Sequence, residues 1–214
     1  MVTNINAARR HLGSLFAPRS IAIVGASERP GSYGGEAMLN LARFGYPGRV
    51  YPVNPKRPIV HGFDAYPALE NLPEAPDAVV VAIPDPEAVV EQAAAMGCGG
   101  AIVFTAQTDE RRLAAAGLPL CGPNGNGIVS VPDRVAMWGD VIVPREAGPV
   151  ALISQSGNVA VNALASRRGL RLHTVVSCGN SAVLDAADFL AAIAERDGVR
   201  SVALYLEADG DGPR

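Results

Sequence analysis

Apolar and polar positions along this chain fall into two kinds of block. Short unbroken apolar runs, rich in β-branched residues, recur at Ile21–Val24, Asp77–Ile83, Ala101–Phe104 and Leu118–Cys121. Runs this short and this apolar predict buried strands. Between them lie segments with apolar residues at three- and four-residue spacing. Ala37, Met38, Leu41 and Ala42 predict a helix from about Glu36. Pro86–Met96 predicts a second, with proline near its start and Gly97 just past its end. Thr108–Ala116 predicts a short third. Arg49–Lys56 reads as another strand, stopped by a proline-rich turn, and Val60–Leu72 as a small irregular connection. Regular alternation of strand and helix implies a parallel sheet with helices on both faces.

The alternation breaks after Pro123. Asn124–Pro149 has glycines, prolines and Trp138 but no helical period. It reads as strand-like crossover material, with a domain boundary near Arg145. A second series then begins, with strands at Val150–Ile153, Leu172–Ser177 and Val199–Leu206 and helices at Gly157–Arg168 and Asp185–Arg196. The expected organisation is an α/β domain over 1–145 followed by a second α/β domain over 146–214. The second has three strands and no helix after the last, so it reads as incomplete.

Candidate chemistry concentrates at strand ends. The run Ile21–Val24 breaks at Gly25 into a loop holding Ala26, Ser27, Gly31, Gly34 and Gly35, and a helix follows. Strand, glycine loop and helix start form a cradle for phosphate, because backbone N–H groups converge and the helix dipole favours an anion. The spacing is not the G-x-G-x-x-G of a dinucleotide fold, so an ordinary tight turn is the other reading. Lys56 stands just past the second strand, where a dinucleotide fold carries an acid for the ribose hydroxyls. A cation there suits a ribose phosphate, as in coenzyme A or NADP; otherwise it is an exposed lysine in a turn. Ala82-Ile-Pro84 and Thr105-Ala-Gln107 end strands at the same edge of the sheet, which is where open parallel sheets bind ligands. Gly122-Pro-Asn-Gly-Asn-Gly127 is either a structural turn or a place of close backbone approach, since Gly and Asn both tolerate positive φ. Ser154-Gln-Ser-Gly157 joins a strand to a helix and makes a second anion-ready helix start, with Ser156 at the capping position. No Gly-x-Ser-x-Gly elbow or triad accompanies it. Ser177-Cys-Gly-Asn-Ser181 is a junction of the same kind. Glu207 closes the last strand, either as a surface carboxylate or facing the same edge as Ser154 and Asn180.

Composition narrows the classes. The 214 residues are 49% hydrophobic and 18% charged, with a net charge of −3. That is a globular composition without a nucleic-acid footprint. No apolar run approaches the roughly 18 residues of a membrane helix. Met1–Arg10 holds two arginines and no apolar stretch after them, unlike a signal peptide. Cys98, Cys121 and Cys178 are too scattered for a disulfide framework or a metal site and read as reduced core thiols of a cytoplasmic protein. His11, His61 and His173 share no ligand spacing, so no metal is expected.

Taken in order, these landmarks resemble one family: the CoA-binding, α-type part of nucleoside-diphosphate-forming acyl-CoA synthetases, which includes succinyl-CoA synthetase. The landmarks are Leu15–Ser27, Tyr51–Lys56, Ala82–Pro84, Gly122–Asn124, Ser154–Gly157, Ser177–Asn180 and Tyr205–Glu207. The resemblance implies a Rossmann-like CoA-binding domain followed by a partial flavodoxin-like domain. Gly25, Ala26, Ser27 and Gly31 would hold CoA phosphates, with Val53, Asn54, Pro55 and Lys56 at the nucleotide end. Ile83, Pro84 and Thr105 would line the cofactor path, and Asn124 would sit near the thioester. Ser154, Gln155, Ser156, Gly157 and Asn180 would bind the transferred phosphoryl group, and Glu207 would hold the phosphohistidine loop. Catalytic roles fall to Glu207 and Asn124. The implied partners are CoA, a carboxylic acid, and an ATP-grasp domain or subunit carrying ATP or ADP with Mg, within an oligomer; neither nucleic acid nor membrane is implied.

This sequence departs from the family in three places. Gly125 and Asn126 stand where the family has a cysteine and an apolar residue, the segment 107–118 is short, and the phosphate-carrying histidine lies beyond Glu207 in the family, where none of the three histidines matches. The chain by itself is therefore expected to bind CoA without turnover. Two rivals stand beside this reading: a regulatory CoA- or nucleotide-sensing module fused to another catalytic domain such as an acetyltransferase, and an NADP-dependent oxidoreductase, for which no proton donor is evident.

Overall fold

The first strand–helix unit sets the frame for the site. In the computed structural model, which describes residues 12–208, β1 (Ser20–Val24) is buried along its whole length. After a loop comes α1 (Tyr33–Arg43), whose Ala37, Met38 and Leu41 turn inward at helical spacing. β2 (Arg49–Val53) follows, then a two-stranded hairpin of β3 (Ile59–Val60) and β4 (Phe63–Asp64). The series continues with β5 (Ala78–Val81), α2 (Glu87–Met96), β6 (Ala101–Val103), α3 (Glu110–Ala115) and β7 (Leu120–Cys121). Gly97 stops α2 in the left-handed region, and the Asp109 carboxylate caps α3 by accepting from the Arg112 amide. The order is β2-β1-β5-β6-β7, all parallel. The chain leaves β1 for β2 on one side and returns to β5 on the other. The crevice at the carboxyl ends of β1 and β5 is thus a topological switch point, where such sheets bind ligands.

The second sheet has five strands rather than three, in the order β12-β10-β11-β8-β9. β10 (Val150–Ser154) lies parallel to β11 (Leu172–Ser177) and β12 (Ser201–Tyr205). β8 (Gly127–Ser130) and β9 (Val135–Trp138) form an antiparallel hairpin that joins through β11. These two strands come from the segment expected to be crossover material. Every one of their residues is buried, so they lack the alternation that marks a strand in sequence. The 1–145 and 146–214 division drawn from composition separates them from the sheet they complete. α4 (Gly157–Ala165) and α5 (Ala186–Ala194) cover this sheet, α5 beginning in a capping box of Asp185 and Asp188.

One apolar core runs through both sheets, uniting Ile21, Ile23, Leu41 and Ile102 with Ile128, Met137, Ile153 and Phe189. Asn40 pins the two parts together. It is fully buried, donates to the Trp138 and Asp140 carbonyls, and accepts from Arg43 and the Ile142 amide. All four of its hydrogen-bonding positions are satisfied, which removes the cost of burying an amide. Among the described residues, no helix is long and apolar enough to cross a membrane. The expectations for residues 1–11, His11 included, and for 209–214 lie outside the described residues.

Candidate functional site

Gly25 ends β1 with φ +89, and its amide donates to the Val53 carbonyl at 3.1 Å. A Cβ there would stand 2.5 Å from the Ala82 oxygen. The position therefore requires glycine twice, for its dihedral and for its contact with the end of β5. Gly34 and Gly35 in the first turn of α1 have the matching property, since a Cβ on either would stand 2.3 Å from the Gly25 or Ser27 oxygen. The loop lies directly on the helix N-terminus. Gly34 and Gly35 pack against the loop as closely as Gly25 does against the end of β5, although the resemblance assigned the phosphate contacts only to Gly25, Ala26, Ser27 and Gly31. Ser32 occupies the N-cap position of α1, makes no capping bond, and has a buried hydroxyl without a partner. Ala26 is buried, while Gly31 sits at an exposed tip with φ +72 and nothing within 4 Å of a Cβ. The Ser27 hydroxyl accepts from the Arg29 amide, and the Ser27 carbonyl meets His61 Nε2 at 3.1 Å. The loop's carboxylate, Glu28, is engaged by Arg57 and by the His61 amide at 2.7 and 2.9 Å.

One brace holds the neighbouring strand end to this loop, and two more tie the next strand ends to each other. Asn54 donates to the Ala26 carbonyl at 2.8 Å and accepts from the Lys56 and Arg57 amides, which folds the turn after Val53. Its side chain is thus a brace between loops. That turn leaves Pro55 and Lys56 exposed, and the ammonium makes no ion pair with a described residue. Thr105 donates to the Ile83 carbonyl at 2.5 Å, fixing the Ile83–Pro84 segment, and its own carbonyl accepts from the Asn124 amide at 3.0 Å.

Asn124 is exposed with φ +59 and lies in a loop that interlocks with the junction after β11. A Cβ on Gly179 would stand 2.2 Å from the Pro123 oxygen, and one on Gly125 would stand 2.3 Å from the Ser177 oxygen. Asn124 donates to Asn180 Oδ1 at 3.1 Å, and Asn180 donates to Glu110 at 2.6 Å. The Asn126 backbone amide donates to the Ser177 hydroxyl, and its side-chain amide donates to Asp140. Burial, with the nearby Glu36 charge second, pushes the Asp140 carboxyl up from its ordinary value. Through these contacts the carboxyl edges of the two sheets abut.

The second helix start lies on that edge. The Ser154 side chain is fully buried; its hydroxyl donates to the Ser156 carbonyl and accepts from the Ser156 amide. Ser156 stands at the N-cap of α4 but makes no side-chain cap bond, contrary to the sequence expectation; the Ser154 hydroxyl holds its backbone amide and carbonyl. Gln155 turns the other way. Its Oε1 accepts from the Glu207 and Ala208 amides at 2.7 and 2.9 Å, and its Nε2 donates to the Ala208 carbonyl at 3.1 Å. Glu207 is exposed beside it. Ser156 and Gly157 remain as the open helix start.

The structure thus brings the predicted residues to one edge in two groups, around Gly25 and around Ser154, bridged by Asn124 and Asn180. The histidines do not join them as a set. His173 is buried against Thr174 and the Asp197 carbonyl, and burial lowers its pKa. A shallow concavity beside it, lined by Pro149, Arg171 and Arg200, opens at the opposite end of the second sheet. Burial raises the thiols of Cys121 and Cys178 and pushes Cys98 up to about 11, so none is an activated nucleophile. Among the described residues no cluster of three His, Cys, Asp or Glu side chains could hold a metal ion. What the edge offers is fixed dipoles and amides for two anionic groups.

Known proteins share this fold. The family described as CoA binding domain matches residues 19–130, and that described as succinyl-CoA ligase like flavodoxin domain matches 147–214. The chain is 34% identical to acetate–CoA ligase [ADP-forming] I of Archaeoglobus fulgidus, covering 92% of this chain and 31% of that one. It is 31% identical to the alpha subunit of acetate–CoA ligase [ADP-forming] I of Pyrococcus furiosus, covering 95% and 48%. It therefore spans a third to a half of the length of these relatives. A solved structure of the dinucleotide forming acetyl-coenzyme A synthetase 1 of Ca. Korarchaeum cryptofilum, in complex with phosphate and ADP, superposes with a TM-score of 0.84 at 30% identity, over 94% of this chain and 46% of that one. The chain belongs to the nucleoside-diphosphate-forming acyl-CoA synthetase family, of which it carries the CoA-binding domain and the succinyl-CoA ligase-like flavodoxin domain.

Proposed function

We propose that this chain is the CoA-binding, α-type portion of an acyl-CoA synthetase that forms ADP or GDP. The reaction is acyl-CoA plus phosphate plus nucleoside diphosphate giving acid, CoA and nucleoside triphosphate, reversibly, by way of an acyl phosphate and a phosphohistidine. The observation that carries the reading is the pair of helix starts on one continuous edge: Gly25–Ser27 against α1, and Ser154–Gly157 at α4, joined by interlocked loops. Each suits an anion by its amides and dipole.

The residues present fit CoA. The cradle of Gly25, Gly34 and Gly35 would be filled by any Cβ, and the buried Ser32 hydroxyl beside it lacks a partner. In this reading Gly25, Ala26 and Ser27 face the CoA phosphates and Gly31 lets the loop tip reverse. Lys56 meets the 3′-phosphate, with Val53, Asn54 and Pro55 shaping its turn. Ile83 and Pro84 line the adenine and pantetheine path, held by Thr105, and Asn124 reaches the thioester. Ser156, Gly157 and Asn180 bind the transferred phosphoryl group on a turn set by Ser154, and Glu207 orients the loop of the phosphate-carrying histidine. Rate enhancement then comes from preorganised dipoles around phosphoryl oxygens. The nucleotide and Mg belong to an ATP-grasp domain or subunit, and the assembly is oligomeric. Buried free thiols support a cytoplasmic setting.

The test combines the chain with the portions that supply the phosphate-carrying histidine and the ATP-grasp domain, together with labelled ATP, CoA and a series of carboxylic acids. Thioester and an acid-labile phosphoprotein should form with all portions present and not from this chain alone. Product from this chain alone would contradict the division of roles. CoA binding without turnover of any acid by the whole assembly would favour the CoA-sensing module.

A further inference from the structure

We infer that Gln155 is a positioning residue that fixes Glu207, resting on the reading above in which Glu207 meets the phosphate-carrying histidine. The ladder between β10 and β12 pairs Ser154 with Tyr205, and the Gln155 amide adds one more bond to the Tyr205 carbonyl. Beyond that point strand pairing stops, yet the chain at Glu207 and Ala208 is still held. The Gln155 side chain does the holding: one carboxamide oxygen takes both amides, at 2.7 and 2.9 Å, and the nitrogen returns a bond to the Ala208 carbonyl at 3.1 Å. A carboxamide accepts twice at its oxygen and donates from a separate nitrogen while neutral, as a backbone peptide group does, so it mimics the next residue of a strand.

This divides the Ser154-Gln155-Ser156 turn into three tasks. The buried Ser154 hydroxyl closes the turn, Gln155 leaves the anion side and clamps the backbone of Glu207, and Ser156 with Gly157 starts the helix. The clamp ties the exposed carboxylate of Glu207 to the same three residues that form the helix start. A side chain at the end of an exposed edge strand would otherwise sample many positions, and a misplacement of about 1 Å costs about a hundredfold in rate.

The experiment uses Gln155→Met, which removes all three bonds at similar length, and Gln155→Glu, which keeps the acceptor and loses the donor. Amide exchange is followed by NMR in this chain, and kinetics in the enzyme assembled with the portions that carry the phosphate-carrying histidine and the ATP-grasp domain. In Gln155→Met the Glu207 and Ala208 amides should exchange about tenfold faster or more, with β10 amides unchanged. kcat should fall at least about tenfold while KM for CoA stays within about twofold. Gln155→Glu should regain amide protection and part of kcat. Unchanged exchange at 207 and 208, or a rise in KM for CoA that matches the loss of kcat, would overturn the inference. If Gln155→Met does not fold, Gln155→Glu decides alone: retained protection at both amides with a reduced kcat supports the clamp, and lost protection overturns it. Wild-type enzyme that turns over no acid would contradict the proposed function instead, and the exchange data would still separate the two failures.

Discussion

Replacing Gly25 by alanine should separate steric necessity from mere flexibility in the glycine loop. Two costs arise at this position. A non-glycine residue at φ +89 carries about 1–2 kcal/mol of backbone strain. The added Cβ also falls 2.5 Å from the Ala82 oxygen and 2.9 Å from Ile83 Cγ2. Relief requires parting the ends of β1 and β5, which are joined there by the bond from the Ala82 amide to the Val24 carbonyl at 2.9 Å. Forced repacking of this kind costs about 1–3 kcal/mol. Gly31→Ala is the control, because Gly31 has φ +72 but open space around a Cβ, so it meets the backbone cost alone. The difference between the variants is then the steric part, about 1–3 kcal/mol. At about 2–4 °C per kcal/mol for a chain of this size, that is roughly 2–12 °C in melting temperature. Thermal unfolding gives the stabilities, and calorimetry with CoA gives the functional counterpart. Gly25→Ala should lose at least about tenfold in affinity, Gly31→Ala much less. Equal melting temperatures for the two variants would refute the argument that β5 dictates glycine at position 25.

Other perturbations follow from single contacts. Lys56→Ala should weaken CoA by about 1–2 kcal/mol in calorimetry and dephospho-CoA by less, as a charge-assisted contact to the 3′-phosphate requires; equal losses would remove that contact. The Asp77 carboxyl is held below its usual range, first by the hydrogen bond from the Arg19 side chain. A depressed folded pKa stabilises above the ordinary carboxylate value and loses that effect as pH falls through it. Asp77→Asn should therefore cost about 1 kcal/mol or less at pH 7, a gap in urea midpoint that closes below about pH 4; a gap that persists at pH 2 would assign the loss to packing. Because burial raises all three thiols, Cys98 to about 11, alkylation at pH 8 should follow unfolding; rapid labelling of the native chain would contradict their burial.

Elements whose signal is local were legible in the sequence. β1, β5, β6 and β10 appear as apolar runs, and α2 has its proline and glycine boundaries where expected. The glycine loop was recognisable because strand, turn and helix follow one another directly. What escaped depends on distant partners. β8 and β9 carry no alternation because both faces are buried, and only their pairing with β11 reveals them as strands. Asn54 read as a ligand contact, and its role as a brace depends on the Ala26 carbonyl 28 positions away. Gln155 read as part of a phosphate turn, while its partners lie 52 and 53 positions on. Ser156 has the right residue type and dihedrals for a cap, yet its side chain makes no cap bond.

The central claim is that the first sheet is built to bind CoA. Isothermal titration of the chain with CoA and, separately, with NADP tests it most directly. The account predicts one CoA bound per chain, more tightly than NADP, with the heat lost in Gly25→Ala. NADP binding as tightly as CoA or more tightly would contradict it.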